Sequence, residues 1–115
     1  MNIVFVCNSD TNRSPTAKKL FKKLFKHIGL NHKIKSAGTN YGNPLTAKLI
    51  DWADLFFPMT MEEYFVLAEE LRIPNNKIHI IGIGDEYIFD DSRLTTLLLH
   101  WWHWKGQYIL RFGDK

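Results

Sequence analysis

Apolar and polar positions change period several times along this chain. Residues 2–7 form a continuously apolar run, the pattern of a short strand buried in a parallel sheet. The period then turns helical: Leu20, Phe21, Leu24, Phe25 and Ile28 share one face, and Lys18, Lys19, Lys22, Lys23 and Lys26 lie opposite. Ser14 with Pro15 marks the helix start, a hydroxyl N-cap followed by a proline whose missing N–H is harmless in the first turn. Gly29 closes the helix. Residues 33–36 predict a second strand, 38–44 a polar loop, 45–52 a short helix and 55–57 a third strand broken by Pro58. Residues 61–71 predict a helix in which Glu62, Glu63, Glu69 and Glu70 supply solubility. A turn at Pro74, Asn75 and Asn76 leads to a fourth apolar strand over 78–83, a loop over 84–91 and a last helix over 92–104. Residues 107–112 read either as an extra strand or as an ordered tail. Strands alternating with helices predict an α/β, three-layer domain: a four-stranded parallel sheet with helices on both faces.

Composition narrows this further. The 115 residues are 45% hydrophobic, 14% aromatic and 23% charged, which fits one globular domain over 1–115, with 105–115 as a C-terminal extension. No window approaches the ~20 apolar residues of a membrane span, and no basic residue precedes the short run at 3–7. A cytoplasmic protein without a secretory signal or a membrane partner is therefore expected. Cys7 is the single cysteine, which excludes an intramolecular disulfide and a cysteine-rich zinc site. The net charge of +3 is unevenly spread, with nine basic and three acidic residues in 1–58 against six and nine in 59–115. The lysine block is read as the solvated face of an amphipathic helix in preference to a nucleic-acid contact.

Ligands of open parallel sheets bind beyond the carboxyl ends of the strands, beside helix N-termini. The first such junction runs through Cys7, Asn8, Ser9, Asp10, Thr11, Asn12, Arg13 and Ser14. A lone cysteine at a strand end is ordinarily an inert core thiol. Arginine and serine at the sixth and seventh places after it change that reading. The five intervening residues can wrap backbone N–H groups around a phosphate-sized anion, and the helix dipole favours the nucleophilic thiolate. Arg13 offers a planar fork for two phosphate oxygens, and the Ser14 hydroxyl can donate to the sulfur.

Ile3-Val4-Phe5-Val6-Cys7 followed by Arg13-Ser14-Pro15-Thr16-Ala17 resembles the opening of the low-molecular-weight protein tyrosine phosphatases. Ser36-Ala37-Gly38-Thr39 resembles the family's next landmark, and Asp54-Leu55-Phe56-Phe57-Pro58-Met59 its third strand. The similarity runs from about residue 2 to about residue 95 and is greatest to a short bacterial branch of predicted phosphatases, in which Trp52-Ala53-Asp54 and Asp85-Glu86-Tyr87 have counterparts. The resemblance implies hydrolysis of phosphomonoesters, phosphotyrosine above all, through a cysteinyl phosphate and without a metal or other cofactor. It casts Cys7 as nucleophile, Arg13 as phosphate clamp and Ser14 as thiolate stabiliser. A loop carboxylic acid would protonate the leaving oxygen and then activate water. Asp85 is the expected acid; Asp90 and Asp91, just before Ser92, better suit a helix start. Tyr41 and Tyr87 are candidates to line the pocket and stack on an aryl phosphate. The implied partner is a phosphorylated protein or a small aryl phosphate.

Four positions depart from the family pattern. Ser9 and Asp10 stand where glycine and asparagine are usual, Asn12 replaces a second cysteine, and no proline follows Asp85. Asp10 can adopt the left-handed backbone asparagine supplies, but it brings negative charge to an anion site. That charge keeps open a weakly active or purely phosphate-binding module. Thioredoxin-coupled arsenate reduction on the same fold needs more cysteines than Cys7. Elsewhere, Leu97, Leu98, Trp101, Trp102 and Trp104 form an apolar helix face, partly exposed. His100 and His103 have ligand spacing but no third ligand, and Gly82-Ile83-Gly84 is an incomplete glycine motif.

Overall fold

The computed structural model describes residues 1–40 and 43–112. Strand β1 (Asn2–Cys7) is central in a parallel sheet of order β2-β1-β3, flanked by β2 (Lys33–Gly38) and β3 (Leu55–Pro58). Its register sets Cys7 opposite Gly38 and Val6 opposite Pro58, so the three strands end together at the carboxyl edge. Alternation along β1 feeds two cores. Ile3, Phe5 and Cys7 face α1 (Arg13–Ile28) and α4 (Ser92–Trp101), packing with Phe21, Phe25, Leu94, Leu98 and Trp101. Val4 and Val6 face α2 (Ala47–Trp52) and α3 (Met61–Phe65) through Phe56, Leu67, Ile73 and Ile78.

The fold therefore has the expected three layers, but three strands in place of four. Residues 78–83 lie along the β3 edge and form a single parallel bridge, Ile78 with Phe56. Their N–H groups are received by the sheet: His79 donates to the Phe56 carbonyl and Ile81 to the Pro58 carbonyl, each at 2.9 Å. The return bond to the His79 carbonyl falls to residue 58, which is proline and has no N–H. Beyond it, Gly82 and Ile83 both donate to the Met59 carbonyl at 2.8 Å and turn the chain away.

Other boundaries shift for local reasons. Helix α1 starts one residue before Ser14, with Asn12 at its N-cap and no side-chain cap bond, and ends at Gly29 in the left-handed region (φ 77°). The helix predicted over 61–71 is helical only to Phe65 and then widens into a π-type turn, Val66–Glu70. The last helix widens likewise at Trp102–Gly106 and continues as α5 (Gln107–Leu110), so 107–110 is not a strand but an ordered, helical tail. Gly106 permits this: a Cβ there would lie 2.7 Å from the Trp101 ring. Leu98, Trp101 and Trp102 are buried, while Leu97 and Trp104 stay exposed. Lys19, Lys22, Lys23 and Lys26 project into solvent, and Lys19 pairs with Asp90 at 2.7 Å. Among the described residues no helix is long and apolar enough to cross a membrane, and no group of three His, Cys, Asp or Glu side chains could hold a metal ion.

Candidate active site

Cys7 ends β1 and Arg13 begins α1, so the loop between them lies at the sheet's carboxyl edge. Parallel pairing continues into it: the Thr39 N–H donates to the Cys7 carbonyl at 3.0 Å and the Asn40 N–H to the Asn8 carbonyl at 2.9 Å. Asp10 is left-handed at φ 54°, the conformation the loop demands at that place. This turns the Asp10 N–H toward Cys7 Sγ at 3.2 Å. The uncapped α1 N-terminus adds the positive end of a sixteen-residue helix.

A cavity of about 190 Å³ is lined by Cys7, Asn8, Ser9, Asn12, Arg13 and Asp85. A second, of about 310 Å³, shares Asn8, Arg13 and Asp85 and adds Thr60, Met61, Glu62, Glu63 and Gly84. Asp85 is exposed on the wall of both, while Asp90 is engaged with Lys19 and Asp91 accepts the Arg93 N–H at 2.8 Å as the α4 N-cap. Arg93 also grips Asp91 with its side chain, which holds that carboxyl below its ordinary range.

Other predicted residues stand behind or beside the cavity. Ser14 is fully buried, and its Oγ donates to Asp10 Oδ1 at 2.6 Å. The Asp10 carboxylate thus competes for that single proton with Cys7 Sγ, which lies 3.0 Å from the same oxygen. The expected donation from Ser14 to sulfur is opposed because residue 10 is a carboxylate. Thr11 is exposed, with its hydroxyl on the Ser9 carbonyl at 3.4 Å. Asn12 lines the cavity while its Oδ1 accepts the Phe89 N–H at 3.0 Å, tying the Cys7–Arg13 loop to the segment that carries Asp85. Tyr87 is absent from both cavity walls; it packs on the core with the Arg93 guanidinium 5.3 Å from its ring centre. Desolvation, and after it the Glu86 carboxylate, raises the Tyr87 phenol above its ordinary value. Tyr41 lies outside the described residues.

The sequence reading missed what holds Arg13. Arg13 is 4% exposed, and its Nη1 donates to the Ile83 carbonyl at 2.7 Å. Nη2 faces Glu63 Oε1 at 3.7 Å, and Glu63 is 2% exposed. Glu63 is thus no solubilising surface acid: α3 turns it inward, and Thr60 Oγ1 donates to its Oε2 at 2.8 Å. Thr60-Met61-Glu62-Glu63 was the available signal, a hydroxyl residue followed at the third place by glutamate, which marks a helix start with interacting side chains.

Comparison with known proteins places these features in context. Residues 2–55 match the family model for low molecular weight phosphotyrosine protein phosphatases. The chain is 29% identical over 102 residues to a protein-arginine-phosphatase of Bacillus subtilis (strain 168), covering 68% of each protein. Its fold superimposes with a TM-score of 0.75 on a Cys-to-Ser mutant of the YwlE arginine phosphatase bearing a phosphorylated active-site serine, at 25% identity over 99% of this chain and 100% of the other. A low molecular weight protein tyrosine phosphatase from Bacillus subtilis, solved in solution, gives 0.68 at 25% identity, over 92% and 99% of the two chains.

Proposed function

We propose that the chain is a member of the low-molecular-weight phosphotyrosine protein phosphatase family, whose model it matches over residues 2–55, and that it removes phosphoryl groups from protein side chains through a covalent Cys7 phosphate. One observation carries the reading: Cys7 and Arg13, at the two ends of the β1–α1 loop, and the distant Asp85 line one cavity of about 190 Å³, large enough to admit a phosphoryl group. The Cys7 thiolate attacks phosphorus as the bond to the leaving atom breaks, and the Asp85 carboxyl gives that atom its proton. Water then attacks the S-phosphate while Asp85 takes its proton; the S–P bond breaks, releasing inorganic phosphate and the thiolate. Arg13 and the α1 N-terminus hold the phosphoryl oxygens through both steps.

Two phosphorylated side chains are in question. Phosphotyrosine follows from the family's description, and phosphoarginine from the Bacillus subtilis relative. The cavity walls favour phosphoarginine. No aromatic side chain stands among the described lining residues, whereas Glu62, Glu63 and Asp85 do. Acids suit a guanidinium and repel the second negative charge of an aryl phosphate.

The test is hydrolysis, with chelator present, of matched peptides phosphorylated on arginine or tyrosine. Wild type should turn over the arginine peptide with the higher kcat/KM. Cys7→Ser should reduce turnover to background, and Asp85→Asn should lower kcat by about 10²–10⁴, the usual worth of a general acid. Vanadate binding without turnover of either peptide would replace the enzyme with a phosphate-binding module.

A further inference from the structure

We infer that Glu63 is the residue that selects for a guanidinium leaving group, by accepting a hydrogen bond from it through Oε1. The two oxygens of this buried carboxylate are unequally treated. Oε2 takes the Thr60 hydroxyl at 2.8 Å, whereas Oε1 has no hydrogen bond. At 3.7 Å, Arg13 Nη2 is near enough to neutralise the charge and too far to satisfy the oxygen. Buried carboxylate oxygens are ordinarily hydrogen-bonded, because desolvation without a partner is unfavourable. Glu63 is one of the residues lining the 310 Å³ cavity that adjoins the Cys7–Arg13 loop through Asn8, Arg13 and Asp85, with Oε1 itself buried just behind the wall. A side chain whose phosphoryl group occupies the smaller cavity has to extend past these walls.

The two substrate classes differ in what they bring there. A phosphorylated guanidinium carries N–H donors one bond from phosphorus and a positive charge. It can donate to Oε1, with Glu62 and Asp85 on the same wall. An aryl phosphate has no donor and adds only repulsion. A site that keeps a buried acceptor open discriminates strongly, because the wrong ligand leaves that acceptor unpaired. A tether for Arg13 alone, by contrast, would affect every phosphorylated ligand equally.

The inference rests on the phosphatase reading of the loop, so its test is built on binding as well as turnover. Calorimetry on the Cys7→Ser protein, with matched arginine- and tyrosine-phosphorylated peptides, gives an affinity ratio that needs no catalysis. Adding Glu63→Gln should lower that ratio by about tenfold or more, the worth of one hydrogen bond to a charged group, over and above any loss common to both peptides from the Arg13 contact. Glu63→Asp, which keeps the charge but withdraws the oxygen by one methylene, should lower the ratio too and covers the case in which the glutamine variant does not fold. In active enzyme the kcat/KM ratio should follow the same order. Equal losses for both peptides, or an unchanged ratio, would overturn the inference. A ratio that falls in protein lacking any turnover would uphold the role of Glu63 while overturning the phosphatase reading.

Discussion

Ser14 has one hydroxyl proton and two neighbours that can receive it, Cys7 Sγ at 3.0 Å and Asp10 Oδ1 at 2.6 Å. The carboxylate competes for it more strongly, since charge-assisted bonds are the stronger. Donation to the sulfur is therefore opposed, while the Asp10 N–H stays on it at 3.2 Å. Asp10→Asn should relieve this: the amide can donate to Ser14 Oγ and release the serine proton to sulfur. Its neutral side chain also removes a negative charge from the anion site. Alkylation of Cys7 by iodoacetamide near neutral pH should speed up by about tenfold, the worth of a hydrogen bond to a charged atom, and vanadate should bind more tightly. Slower alkylation and weaker vanadate binding would show that Asp10 assists the thiolate.

Elements position these residues through their ends. The α1 start is left without a side-chain cap, so its first amides stay available to the cavity, while α4 is closed by Asp91. Asp91 gives a test at this scale. Its carboxyl sits below its ordinary value of 3.8, chiefly because the Arg93 side chain donates to it. A depressed folded-state value stabilises the fold above the unfolded one, and that stabilisation is lost as pH falls through the folded value. Asp91→Asn keeps an N-cap acceptor but removes the charge. Its Tm should lie a few degrees below wild type at pH 7, and the gap should close as pH drops below about 3.8. A gap constant between pH 7 and pH 3 would mean that the charge contributes nothing.

Across the whole molecule, the sheet face beneath Cys7 is held by aromatic packing that spans the chain. Phe5 stacks on Phe21 at 5.4 Å, and Trp101 meets Phe21 at 5.8 Å and Phe57 at 5.3 Å, both edge-on. Phe21 is fully buried at the centre of these contacts. Phe21→Ala should destabilise the fold by about 3–5 kcal/mol, a large part of the ~5–15 kcal/mol of a small domain. Urea denaturation would read this as a lower midpoint at constant slope, and a loss under 1 kcal/mol would mean the neighbouring rings close the gap.

Much of this was legible in the chain itself, because it depends on neighbours in sequence. Continuous apolarity marked β1, a 3.6-residue period marked α1, and Gly29 marked its end. The spacing of Cys7, Arg13 and Ser14 marked the loop at the sheet's carboxyl edge, since strand, loop and helix N-terminus are contiguous. Relations between distant segments were not legible. Pro58 denies a bond to the His79 carbonyl, so an apolar run that reads as a strand hugs the sheet edge without joining it. Glu63 has the composition of a surface acid and becomes a buried one only because α3 packs it against Arg13, fifty residues earlier. Tyr87 is drawn from the expected pocket wall by Arg93 and the core. Periodicity and loop spacing determined the fold class and brought Cys7 and Arg13 to one loop, for these are local backbone properties. Which charges face each other across the cavity was decided only by the tertiary structure, because the Coulomb and desolvation energies that set it depend on distance in space.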